Sequence, residues 1–498
     1  RYVLNKYIIM SAEGYNANGL NEEMLQNLAQ QLNVGGLPGN NNQMGFDIPV
    51  PEVINEDSEV TFQQLYEIMN KYAYAETEYC DYPLLGESRT TMAKDMLGNE
   101  FIVVSIHYFA PFKAGKFTPC EHTVKVGMFN GKTKIKNLPV KPVFDSEFRM
   151  AELMERGTKF LQLTQKPTYL HCLGYMFVPI QGGMKRIPLN SRVVVDAEGY
   201  QKISADRWYN RDQLDTVEDG RLAQTLPIVP IYSMELKRWG ETPVDSLCQI
   251  QFDKTAMERT VLPKEYKQNI VTLTENFYKS NSVDFIVGKK KGLLFLLRGP
   301  PGTGKTLTAN AVSELIEAPL YSVGSGDLGT KPSEIDKNLQ HIFNLVESWK
   351  GCVLIDEADV FMSIRKDYAV DYNSCVSVFL RLVENYSGIL FLTTNRDHSI
   401  DPAFDSRIHI KLHYGELKKD GREQVWKEAL NRYGADGIDT DKLSDYELNN
   451  REITNVVQLA NIETSNKPNH ITTAMLEKYV KMREAFKNTD FSDEKLEI

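Results

Sequence analysis

The chain has 498 residues, of which 42% are hydrophobic and 25% charged, and a formal net charge of −10. That is the composition of a globular chain of about three domains, long enough to bury its own cores. It excludes a wholly disordered protein, a collagen-like repeat and a disulfide-stapled miniature domain. The acidic balance weighs against a protein that coats nucleic acid or anionic membrane, since both need a positive footprint.

Residues 1–75 form an N-terminal segment with a Gly- and Asn-rich linker at 33–46 (NVGGLPGNNNQMGF). Its first residues, RYVLNKYIIM, are interrupted by Asn5 and Lys6 and make a poor signal peptide. Residues 76–200 read as a small, mostly β α+β domain suited to binding a partner. FIVVSIHYF (101–109) is a strand. HTVKVGMF (122–129) and KTKIKNL (132–138) flank Asn130-Gly131, which predicts a hairpin because both turn positions tolerate positive φ. A helix follows over 146–161, where Phe148, Met150, Ala151, Leu153 and Met154 recur at helical spacing. YLHCLGYMFVPI (169–180) and SRVVVD (191–196) are strands around Gly182-Gly183.

Residues 201–262 read as a polar connector with one Pro-containing apolar piece, LPIVPIYSM (226–234). From 263 the pattern becomes α/β. An amphipathic helix (262–279) precedes the buried-strand run GLLFLL (292–297), a helix (306–318), and the strands CVLID (352–356) and GILFLTTN (388–395). Such alternation predicts a parallel sheet covered by helices over 263–415. Residues 416–498 are nearly all helical pattern, in the pieces 421–433, 450–463 and 473–487, and form a helical lid.

No apolar run approaches the roughly 18 residues that cross a bilayer. Cys80, Cys120, Cys172, Cys248, Cys352 and Cys375 are scattered without a CxxC pair, so neither a zinc site nor a disulfide framework is indicated. An intracellular, reducing compartment, cytoplasm or nucleus, is the corresponding expectation.

The chemistry is concentrated in the α/β part. Gly299, Pro300, Pro301, Gly302, Thr303, Gly304, Lys305 and Thr306 fit G-x-x-x-x-G-K-[ST] between a strand and a helix, with Leu307 next in the helix. Glycines let backbone N–H groups wrap phosphates, Lys305 reaches the β and γ oxygens, and the Thr306 hydroxyl is a magnesium ligand. The helix adds its positive end. Asp356 and Glu357 close a buried strand, where Asp356 can hold Mg²⁺ and Glu357 can act as general base on the attacking water. Asn395 ends the next strand as a candidate sensor of the γ-phosphate. Arg407, in DSRIHI, can neutralise charge on that phosphate in cis or from a neighbouring subunit, and Arg451 can reach it from the lid. Lys289-Lys290-Lys291 reads as solvated surface. His409 and His413 share one face of a strand without a visible third ligand.

With these residues in place, 263–490 resembles an AAA+ ATPase module, that is, a P-loop NTPase parallel sheet with a C-terminal helical lid. GPPGTGKT is similar to Walker A, VLIDEAD to Walker B, LTTN to sensor 1, DSR to the arginine-finger position and NREITNVV to the sensor 2 helix. FNGKTKIKNLPVKPV, MERGTKFLQL, SRVVVD, VLPKEYKQNI and SVFLRLVENYSGILFLTTNRDHSIDPAFDSRIHIKL extend the likeness over about 100–490. They resemble an AAA+ family abundant in fungi that carries an N-terminal domain of unassigned function. The resemblance implies a homo-oligomeric ring, usually a hexamer, with ATP between subunits and Arg407 acting in trans. The chain departs from it in 322–338, which lacks the aromatic of a threading pore loop, and in Asn450, where a glycine is usual.

The expectation is therefore a Mg²⁺-dependent ATPase that remodels or disassembles a macromolecular partner, a protein in the first instance. A nucleic-acid motor or loader and a slow ATP-gated switch are the alternatives.

Overall fold

The computed structural model describes residues 54–488, apart from 81, 145–146, 182, 204–212, 280–291, 366–369, 396–399, 466 and 468–469. The Gly/Asn-rich linker and Lys289-Lys290-Lys291 lie outside the described residues. The chain divides after Ile250 into two compact units.

The first unit opens with β1 (Glu59–Val60) and α1 (Phe62–Lys71). Thr61 and Gln64 form a reciprocal capping box that satisfies the helix's first donors. Phe62, Leu65, Ile68 and Met69 bury one stripe of α1. A five-stranded antiparallel sheet has the order β5-β4-β3-β2-β7. Its strands are β2 (Tyr74–Tyr79), β3 (Tyr82–Lys94), β4 (Glu100–Lys113), β5 (Lys116–Gly127) and β7 (Val140–Pro142). Alternate residues of β4, Ile102, Val104 and Ile106, enter the core.

Asn130-Gly131 does not make the expected hairpin. β5 pairs along its length with β4, while β6 (Thr133–Lys134) crosses to pair with β1. The turn residues fix a local bend, and longer-range pairing decides where the chain goes after it.

α2 (Glu147–Thr164) leads to β8 (Thr168–Ile180) and β9 (Gly183–Val195), the second expected hairpin, and then to α3 (Ala197–Ile203). The segment read as a connector is instead built into this unit. Within it, β10 (Ile228–Ser233), β11 (Arg238–Pro243) and β12 (Leu247–Cys248) complete a sheet of order β11-β10-β9-β8-β12. Glu241 opposite Phe177 links β11 back to β8, so β8 to β11 form a closed ring of pairings. The folded unit also starts earlier than residue 76, at β1.

The second unit begins with α4 (Lys264–Lys279) and holds an all-parallel sheet of order β14-β15-β16-β13-β17. The strands are β13 (Leu293–Arg298), β14 (Leu320–Val323), β15 (Cys352–Ile355), β16 (Ile389–Thr394) and β17 (Ile410–His413). Every residue of β15 and β16 is buried, which is why these strands read as continuous apolar runs. Between them run α5 (Lys305–Leu315), α6 (Ser325–Leu328), α7 (Pro332–Ser348), α8 (Asp359–Met362) and α9 (Val370–Asn385).

The C-terminal region is helical, as expected: α10 (Lys419–Asn431), α11 (Thr440–Leu443), α12 (Asn450–Glu463) and α13 (Thr473–Asn488). They close on a core of their own around Trp426, Ile453, Val457, Leu476 and Val480.

Candidate functional site

Strand order assembles the site. β15, β16 and β13 are neighbours and run in the same direction, so their C-terminal ends lie side by side. Ligands of open α/β sheets bind at that edge. Asp356-Glu357 follows β15, Asn395 follows β16 and the glycine loop follows β13, so segments far apart in sequence reach one place. Pro301, Gly302, Gly304, Lys305, Thr306, Leu307, Asp356, Glu357, Asn395 and Arg451 all line one cleft of about 320 Å³, as do Asn450, Thr454 and Asn455.

The loop needs its glycines. A Cβ on Gly299 would stand 2.1 Å from the Tyr414 carbonyl oxygen, and one on Gly302 (φ +76°) would stand 2.5 Å from Asn449 Oδ1. Gly304 takes the left-handed conformation at the N-cap of α5. The Thr303 hydroxyl donates to the Pro300 carbonyl at 2.9 Å and braces the bend.

Lys305 is buried. Its Nζ donates to the carbonyls of Gly299 at 2.8 Å and Pro300 at 2.7 Å, and to Asn395 Oδ1 at 2.8 Å. Burial lowers its pKa from the ordinary lysine value; the Asp356 carboxylate opposes that shift and Arg451 adds to it. Arg451 therefore acts electrostatically on the loop lysine from the first turn of α12.

Across the cleft, the Thr393 hydroxyl donates to Asp356 Oδ1 and accepts from the Glu357 N–H at 3.0 Å. Thr393 is buried and orients both acidic residues. Glu357 has φ +52°, a left-handed backbone uncommon outside glycine. Its side chain is exposed to the cleft.

The first turn of α12 is tied to the loop. Asn450 N–H donates to the Gly302 carbonyl at 3.0 Å, and Asn449 and Glu452 form a capping box. Arg483 Nη2 holds Glu452 Oε1 at 2.9 Å. Sequence reasoning singled out neither Thr393 nor the Asn449, Thr454 and Asn455 side of α12. A capping pattern, Asn-x-x-Glu at 449–452, was the available signal for the latter.

Arg407 is placed elsewhere. It does not line the cleft; Nε and Nη2 reach Glu384 Oε2 at 3.1 and 3.0 Å, and Nη1 donates to the Ala403 carbonyl at 2.5 Å. His409 Nδ1 accepts the Leu294 N–H at 3.2 Å, a structural contact. Among the described residues no cluster of His, Cys, Asp and Glu suits a metal on its own. In the stretch 322–338, Leu328 and Ile335 are both fully buried. No helix of the described residues is long and apolar enough to cross a membrane.

Protein CdcH of Halobacterium salinarum is 30% identical over 141 residues, covering 26% of this chain and 19% of CdcH. The 26S proteasome regulatory subunit 7 of Dictyostelium discoideum is 30% identical over 156 residues, covering 29% of this chain and 36% of that protein. Protein SAV of Sulfolobus acidocaldarius is 32% identical over 281 residues, covering 49% of this chain and 35% of SAV. The chain thus spans well under half the length of each of these relatives. Residues 295–416, from β13 through the Arg407 segment, match the family described as "ATPase family associated with various cellular activities (AAA)", so this chain carries an AAA ATPase domain.

Proposed function

We propose that the protein is a magnesium-dependent ATP hydrolase that works as a homo-oligomeric ring, a hexamer, and uses turnover to remodel a protein partner recruited through its first unit. The observation that carries the reading is the convergence of Lys305, Thr306, Asp356, Glu357 and Asn395 on one cleft. Triphosphate lies along the glycine loop, with Lys305 exchanging its carbonyl acceptors for β and γ oxygens. The Thr306 hydroxyl and Asp356 carboxylate are hard oxygen donors on one cleft and fit Mg²⁺. When bound there, that ion neutralises charge between the β- and γ-phosphates.

Glu357 accepts a proton from water as the water oxygen bonds to the γ-phosphorus and the bond to the ADP oxygen breaks. Asn395 orients the reacting end, and Arg451 completes the phosphate pocket from the lid. Arg407, held on Glu384 outside the cleft, serves the γ-phosphate of the adjacent subunit. The motif series from about 100 to 490 supports assignment to the fungal-abundant AAA+ family with an N-terminal domain of unassigned function. The buried Leu328 and Ile335 favour remodelling by movement of subunits over gripping by 322–338. The −10 charge favours a protein partner over nucleic acid.

The test is steady-state phosphate release with ATP and Mg²⁺. Glu357→Gln keeps nucleotide binding and loses at least about 100-fold in turnover, the lower range for a general base. A wild-type rate in that variant overturns the base assignment; no release by the unmodified protein overturns the hydrolase reading.

A further inference from the structure

The segment that follows Asp356-Glu357 is bonded directly to the segment that carries Arg407. α8 runs on from the acidic pair, and the Met362 carbonyl at its end accepts the Asp401 N–H at 2.7 Å. Ser363 and Ile400 form an antiparallel bridge beside it. Arg365 then grips the Asp401 carboxylate with two donors, Nε to Oδ2 at 2.8 Å and Nη2 to Oδ1 at 3.4 Å. Asp401 is 4% exposed, so its charge is neutralised mainly by this guanidinium. The same carboxylate accepts the Ala403 N–H at 2.9 Å and caps the single turn Pro402–Phe404. Arg407 follows three residues after that turn; its N–H donates to the Phe404 carbonyl at 3.0 Å and its Nη1 donates to the Ala403 carbonyl.

We propose that Arg365 and Asp401 are positioning residues that register the Arg407 turn against the strand end bearing the acidic pair, and so aim Arg407 at the neighbouring subunit's γ-phosphate. The inference rests on the trans role proposed above for Arg407. Neither Arg365 nor Asp401 lines the subunit's own cleft, so in this proposal the clamp reaches a phosphate only through Arg407. The clamp matters because an arginine acting on a transferring phosphoryl group is sensitive to placement: displacement by about 1 Å costs on the order of 100-fold.

The experiment mixes two full-length subunits. Acceptors carry Arg407→Ala, with their own glycine loop intact. Donors carry Lys305→Ala and retain Arg407. Turnover recovered on mixing comes from acceptor sites facing donor arginines. Arg365→Gln, or Asp401→Asn, is then placed in donors or in acceptors. Asparagine keeps the cap on Ala403 while removing the charge, so Asp401→Asn preserves the local fold; Arg365 is about half exposed and tolerates substitution.

The expected result is a loss of about tenfold or more in recovered turnover when the change is in donors, and less than about twofold in acceptors. Binding of a fluorescent ATP analogue to acceptors stays unchanged, and Arg365→Lys in donors restores part of the rate. Equal losses in both placements, or loss in acceptors alone, overturn the clamp while leaving the trans reading standing. No recovery in the parent mixture of Arg407→Ala and Lys305→Ala overturns the trans reading, and the clamp with it.

Discussion

Lys305 Nζ donates to Asn395 Oδ1 across 2.8 Å, joining the glycine loop after β13 to the end of β16. With the carbonyls of Gly299 and Pro300, that bond uses all three ammonium hydrogens. In the function proposed above, a phosphate entering the loop replaces these acceptors, and Asn395 then reports on whether Lys305 has turned to nucleotide. Asn395→Ala leaves the lysine two carbonyl partners and the loop intact. Turnover should fall by about 100-fold, the usual cost of removing one preorganised polar contact at a reacting centre. Affinity for a non-hydrolysable ATP analogue should change little. Calorimetric titration beside phosphate release separates the two; a parallel collapse of affinity makes Asn395 a holder of Lys305 and nothing more.

Gly302 is where the lid meets the loop. Its φ of +76° and the 2.5 Å approach of Asn449 Oδ1 to a would-be Cβ leave no room for alanine. Gly302→Ala should cost about 1–2 kcal/mol from backbone conformation alone, and more by pushing the first turn of α12 away. Nucleotide affinity should drop by at least about tenfold for each 1.4 kcal/mol so lost in the bound form. Gly302→Ala combined with Asn449→Gly relieves the contact but not the φ. Calorimetry on both variants apportions the loss, and an unimpaired Gly302→Ala refutes a fixed lid–loop junction.

Much of this site was legible in the sequence because its parts end strands buried on both faces. LLFLL, CVLI and ILFL are continuous apolar runs, and the segments that follow these strands supply Lys305, Asp356 and Asn395 to the cleft. Thr393 was not legible: it lies within the buried strand β16, and its role is set by the neighbouring strand end that presents Asp356 and the Glu357 N–H to it. The lost hairpin at Asn130-Gly131 shows the same limit, since a turn signal is local and pairing is not. Pro230 hid β10 in the supposed connector, because proline argues against a central strand. In the fold it pairs with Glu241 on the β11 side, while pairing with β9 begins at Ile231, beyond the proline.

Arg407 is held by Glu384 at the end of α9, and in the trans role proposed above that contact competes with the neighbour's phosphate. The pair is partly exposed, so its worth is at most about 1 kcal/mol. Glu384→Gln should therefore raise turnover, by no more than about fivefold, the rate equivalent of that energy. The gain should appear at protein concentrations where subunits assemble and vanish on dilution. Phosphate release measured across a concentration series checks this; a fall in turnover on Glu384→Gln shows that the glutamate supports the working position of Arg407.

Stability against acid should expose the Arg365–Asp401 pair independently of catalysis. Hydrogen bonding to the Arg365 guanidinium holds the Asp401 carboxyl below the usual aspartate range, against the opposing effect of its burial. A carboxyl whose folded pKa is depressed adds stability that is fully present above its unfolded value, about 3.9. That stability is lost as pH falls through the unfolded value and on toward the lower folded one. Arg365→Gln removes the hydrogen-bonded cation and returns Asp401 toward ordinary titration. The thermal midpoint of the unmodified protein should exceed that of Arg365→Gln by a constant margin from neutrality down to about pH 5. The margin should then shrink progressively below about pH 4, as Asp401 takes up its proton in both proteins. Scanning calorimetry over this range supplies the measurement, and a margin that persists unchanged into acid assigns the stabilising role of Arg365 to packing of its stem instead of to the charge on Asp401.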